Sequence, residues 1–111
     1  DPLVMDKALA PFRKGKRTLT VVSGLYGYDL SSAHEATADV LATMHVTRLI
    51  LPKFADLVFR KTNEYPKTNK DMMEIQSIYY AEQAAGLERY FRKSDPNVTI
   101  NKSWPFQDRE D

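Results

Sequence analysis

The sequence predicts a mainly helical chain, and three observations carry that expectation. Apolar residues recur at spacings of three and four, residues suited to helix caps and stops punctuate them, and no segment reads as a central parallel strand. With 111 residues, 42% apolar and 11% aromatic, the chain is the size of one domain or part of one, and it can bury a core. A net charge of +1 excludes a highly charged disordered tail. The absence of cysteine excludes disulfides, thiolate zinc sites, iron–sulfur clusters and a cysteine nucleophile. No window approaches the ~18 consecutive apolar residues of a membrane span, and the first residues lack the basic-then-apolar layout of a signal peptide. A soluble, cytoplasmic protein is the expectation. The first residue is Asp1 rather than Met, which reads as a start that is not a natural one.

Residues 3–12 form a short apolar segment built on Leu3, Val4, Met5, Ala8 and Leu9, with Pro2 in the first turn, and it ends at Pro11. A basic turn follows, with Arg13, Lys14, Lys16 and Arg17 around Gly15. Thr18 caps a second helix over residues 19–25, where Leu19, Val22 and Tyr26 share a face; Thr20, Val21 and Val22 leave a strand start as the alternative. Gly27 stands where a left-handed stop is commonest. Ser32-Ala33-His34-Glu35 matches the reciprocal cap S-x-x-E and starts a third helix running to Leu51, closed by Pro52. A short helical turn over residues 54–59 and a polar loop with Pro66 lead to Thr68 or Asn69, either of which can cap a long helix over residues 70–93. Val98-Thr99-Ile100 alternates like a brief strand, Trp104-Pro105-Phe106 reads as an aromatic anchor, and residues 107–111 form a polar, fraying tail.

The third helix carries Ala33, Ala36, Val40, Met44 and Leu51 on one stripe, yet Ala38, Ala42 and Leu49 lie on the far side. A helix apolar on opposite faces is buried on both. The rest of the chain offers little to form two layers, so a larger parent domain or a partner chain is implied. The long helix likewise has two apolar lines, one through Met72, Ile75, Tyr79, Gly86 and Tyr90, the other through Met73, Tyr80, Ala84, Leu87 and Phe91.

The sharpest local feature is His34 at a helix start with Asp39 five residues later, flanked by small and apolar residues. A carboxylate directed into poorly hydrated surroundings calls for a cation or a metal ion. Histidine and aspartate with one or two Mg2+ or Mn2+ ions suit phosphodiester hydrolysis, the carboxylate holding the ion and the neutral imidazole taking a proton from water. Positions five apart diverge by about 140° around a helix, so the two converge only if His34 reaches around the helix end. The plain alternative is a capped helix with an exposed His34 and with Asp39 paired to Arg48 or a neighbour.

The run Lys14-Gly15-Lys16-Arg17-Thr18-Leu19, then Leu25-Tyr26-Gly27-Tyr28, then Ala33 to Asp39, resembles the last third of the DEDDh 3′-to-5′ exonucleases, the superfamily of the proofreading epsilon subunit and RNase T. His34, Ala36 and Asp39 match that family's third motif, H-x-A-x-x-D, in order and context. Residues 80–85 with Ser103-Trp104-Pro105 are similar to the C-terminal extension of actinobacterial and phage members. The resemblance implies that residues 1–51 are the C-terminal part of an exonuclease domain and residues 52–111 a helical extension with an aromatic tail. It implies a ribonuclease H-like α/β parent fold whose sheet lies upstream, His34 as general base, and Asp39 as the last of four metal-binding acids. Cofactor and substrate follow: two Mg2+ or Mn2+ ions and the 3′ end of single-stranded DNA or RNA. The family's first motif, Asp-x-Glu, and its second, a further Asp, have no counterpart here and are expected upstream or on a partner chain. Two-metal catalysis needs acids on both ions, so the stretch alone is expected to be inactive.

Arg13, Lys14, Lys16 and Arg17 are candidates for phosphate neutralisation, against the plainer reading of a solvated basic turn. Tyr26 and Tyr28 are candidates for base stacking, although Tyr26 is expected to pack beneath the helix stop. His45 is expected to be a packed helix histidine rather than a ligand. Glu82 interrupts an apolar line and calls for a Lys or Arg partner. The rival to the enzyme is a non-catalytic helical module that docks a protein or nucleic acid through its two-faced helices.

Overall fold

Four helices make up the regular structure of the computed structural model, which describes residues 1–31 and 35–106. They are α1 (Pro2–Leu9), α2 (Leu19–Leu25), α3 (Ala36–Thr62) and α4 (Asn69–Phe91). No strand occurs among the described residues. The chain divides into two units, Asp1–Pro66 and Lys67–Asp111.

In the first unit α1 starts where Asp1 Oδ1 accepts from Leu3 N at 2.9 Å, with Pro2 in the position where its missing N–H costs nothing. It stops at Leu9, short of the predicted Pro11. The second helix has the predicted bounds: Thr18 Oγ1 accepts from Val21 N at 3.3 Å, and Gly27 closes it with φ +77°, a conformation a Cβ disfavours. Both short helices pack on α3, whose buried line Ala42, Val46, Ile50, Phe54 and Val58 repeats every four residues. Val4 and Met5 of α1, Val22 of α2, and Leu30 complete the buried apolar set of this unit.

The expected start and the expected end of α3 are both corrected. The helix begins at Ala36, after Glu35 in extended conformation, rather than at Ala33, and Glu35 makes no side-chain cap bond. The Ser32 half of the expected reciprocal cap lies outside the described residues. The helix also does not end at Pro52 but runs to Thr62, absorbing the separate turn expected over residues 54–59. An interior proline costs roughly 3 kcal/mol through the lost N–H and the ring's clash with the preceding turn. Phe54 and Val58 beyond it are buried, each contributing roughly 1.5–3 kcal/mol, so together they offset the proline. Asn63 ends the helix with φ +62°, donating its N–H to Phe59 O at 2.7 Å, and Tyr65 stacks on Phe59 with ring centroids 4.4 Å apart. Among the described residues of the first unit, Val40, Met44 and Leu51, opposite the buried line of α3, are exposed, in keeping with the expectation that the chain offers little to cover both faces.

The second unit is α4 with the segment that follows it. Thr68 and Asp71 form a reciprocal cap, Thr68 Oγ1 accepting from Asp71 N at 3.0 Å while Asp71 Oδ2 accepts from Thr68 N at 3.3 Å and Lys67 N at 3.0 Å. These backbone donors, Lys67 N foremost, hold the Asp71 carboxyl below its ordinary value. The expected strand over 98–100 is absent. Those residues run as an irregular tail fastened to the helix by Glu88, which accepts from Ile100 N at 2.9 Å and Lys102 Nζ at 2.7 Å. The polar tail 107–111 lies outside the described residues.

Candidate functional site

Asp39 occupies the first turn of α3. That turn carries the positive end of the helix dipole, beside which acidic side chains are commonly placed. Its N–H donates to Glu35 O at 2.9 Å and its carbonyl accepts from Thr43 Oγ1 at 2.8 Å. The side chain is half-buried rather than enclosed, and Val40 and Leu41 beside it are exposed at 57% and 51%. The poorly hydrated setting expected for Asp39 is therefore only partly supplied by this chain.

His34 lies outside the described residues. The start of α3 nevertheless bears on the spacing argument. The 100° advance per residue that would turn positions 34 and 39 apart applies only from Ala36 onward, because Glu35 is extended at φ −81°, ψ 124°. Among the described residues no group of three or more His, Cys, Asp or Glu side chains gathers where it could hold a metal ion. Asp39 suits a hard divalent ion in kind, but the described residues do not gather the set of acids that a two-ion site needs.

The basic turn divides into two pairs. Asp6, in the middle of α1 and 1% exposed, takes both Arg13 and Arg17. Arg13 approaches it with Nη1 at 3.0 Å and with Nη2, a two-pronged grip, and Arg17 Nη1 lies 3.1 Å from the same carboxylate. Arg17 Nη2 also donates to Ala10 O and, at 3.1 Å, to Arg13 O. The hydrogen bond to Asp6 raises the Arg13 pKa further above its ordinary value. Lys14 and Lys16, on either side of Gly15, are exposed, as is Phe12 at 94%.

His45 stands against the end of α2, its Nε2 3.1 Å from Tyr26 O and its ring 5.1 Å from that of Tyr28. Lys53 Nζ lies 5.2 Å over the Tyr26 ring. Burial, with the nearby Asp6 charge, raises the Tyr26 hydroxyl above its ordinary pKa. Tyr26 and Tyr28 are half-buried in this arrangement. Glu82 is exposed; the buried glutamate of α4 is Glu88.

Sequence reasoning passed over Asp6 and Glu88. The signal for Asp6 was present: an acid set next to Val4 and Met5 on a short apolar helix, followed by four cations with no other acid near them. Comparison with known proteins adds no relative, since no family model, no curated protein and no solved structure matches the chain.

Proposed function

We propose that this chain supplies the third motif of a 3′-to-5′ exonuclease of the DEDDh type, which removes nucleotides from DNA or RNA 3′ ends. The observation that carries the reading is where α3 starts. Asp39 lies in its first turn and Ala36 is its first residue, so the Ala and Asp positions of the H-x-A-x-x-D motif stand at a helix N-terminus. In the complete enzyme Asp39 would help hold one of two Mg2+ or Mn2+ ions, which would supply Lewis-acid activation, and His34 would accept a proton from the attacking water. The other acids come from another segment or another chain. The exposed Val40, Met44 and Leu51 stripe is then the face on which the rest of the parent fold packs. The same stripe also suits the rival reading, a helical module that docks a partner.

The test is trimming of a 5′-labelled single strand by the intact gene product in Mn2+. His34→Ala and Asp39→Ala should each reduce the rate by about 10²-fold or more. Undiminished trimming by Asp39→Ala in the intact protein would sink the proposal. The 111-residue chain alone should trim nothing, because one carboxylate cannot hold both ions. Specific trimming by it, lost in Asp39→Ala, overturns that part.

A further inference from the structure

We infer that the turn between α1 and α2 is a built contact for single-stranded nucleic acid, in which Phe12 stacks a base and Lys14 and Lys16 neutralise phosphates, while Arg13 and Arg17 hold the turn in shape. The choice of nucleic acid over other polyanions rests on the exonuclease reading; the architecture of the turn does not. In sequence the four cations look equivalent. In the structure two of them converge on a buried carboxylate, and Arg17 additionally bonds the carbonyls of Ala10 and Arg13, fastening the incoming strand of the turn. Gly15 turns the backbone at φ +101°, a conformation that side chains rarely adopt, with Lys14 before it and Lys16 after it, both exposed. The turn is thereby fixed at its base and presents two ammonium groups from its tip.

Phe12 belongs to the same turn and is 94% exposed, more than any other large apolar side chain described. A phenyl ring held in water beside two cations has a direct use as a stacking surface. Aromatic stacking tolerates any base, and adjacent lysines track the backbone, which is the pairing that sequence-independent single-strand binders use. An anionic membrane is the less fitting partner. Lipid-binding basic clusters carry about 4–8 outward cations, and once Asp6 has taken both arginines this turn has Lys14 and Lys16 alone.

The experiment measures fluorescence anisotropy of a labelled oligothymidylate of about 16 nucleotides with the full 111-residue chain, in EDTA, across a salt series. Phe12→Ala should weaken binding by roughly 5- to 150-fold, leaving the thermal midpoint and the salt slope unchanged, and Phe12→Trp should restore it. Lys14→Ala with Lys16→Ala should lower the slope of log K against log salt by about 1.4, whereas Lys70→Ala with Lys93→Ala, an equal charge loss elsewhere, should not. The inference is overturned if the strand does not bind, if Phe12→Ala binds it as well as the parent does, or if a duplex of equal charge binds equally. Binding to phosphatidylserine vesicles that depends on Phe12, without binding to the strand, transfers the turn to a membrane and overturns it too. Because EDTA removes catalysis, strand binding that survives while intact-protein trimming ignores Asp39→Ala refutes only the nuclease reading.

Discussion

Asp6 shows how a single side chain redistributes charge. A buried carboxylate with one partner removed costs several kcal/mol, because its solvation is lost without replacement. Arg17→Ala deletes one of two cations on Asp6 together with two carbonyl contacts, so it should destabilise the first unit by roughly 2–4 kcal/mol in chemical denaturation. Lys14→Ala, at an exposed position of the same turn, should change stability by less than about 0.5 kcal/mol. Equal losses from both would contradict the division of the turn into struts and tips. Ser23 is the converse case: its hydroxyl is fully buried in α2 with no hydrogen-bond partner among the described residues. Removing such a group relieves its desolvation penalty, and Ser23→Ala should raise stability by about 1 kcal/mol in the same measurement.

At the level of the element, Pro52 in α3 and Glu88 in α4 make separable predictions. Pro52 leaves the carbonyl four residues earlier without its usual donor at an exposed site, so Pro52→Ala should stabilise the chain by roughly 1–3 kcal/mol with an increase in helicity by circular dichroism. Glu88 is held below its ordinary value of 4.5 chiefly by the Lys102 ammonium, then by the Ile100 N–H. The folded form therefore binds its proton less readily than the unfolded form does. Its stabilising contribution is complete above pH 4.5 and is lost as the pH falls through the depressed value. Hydrogen exchange at the Ile100 amide, corrected for the intrinsic pH dependence, should lose protection over that range. Glu88→Gln should remove the pH dependence, and an unchanged acid limb in that variant would place the titration elsewhere.

On the scale of the whole molecule, two units of different make-up share one chain. The first has an apolar core drawn from three helices, with Phe54, Ile50, Val46 and Val22 wholly buried. The second buries mainly Gln76, Ala84 and Glu88, and relies on polar fastening of its tail. Among the described residues no helix is long and apolar enough to cross a membrane. The exposed Val40, Leu41, Met44 and Leu51 leave α3 with apolar surface that the first unit does not cover. Under the exonuclease reading proposed above, that surface and Asp39 at the start of α3 are the grounds for expecting activity only from a protein that also supplies the family's other acids.

The sequence by itself determined where helices exist, because capping residues and spacings of three and four act locally: Thr18, Gly27 and Thr68 stand at the helix ends they were expected to mark. It also set the His34 to Asp39 spacing and the concentration of cations around Gly15. Tertiary structure alone decided that α3 continues past Pro52, since the burial of Phe54 and Val58 that offsets the proline depends on packing against distant residues. It likewise decided which cations face water. Arg13 and Arg17 turn inward because a carboxylate on another element takes their guanidinium groups, and the energy of a buried charge depends on what surrounds it in space rather than along the chain.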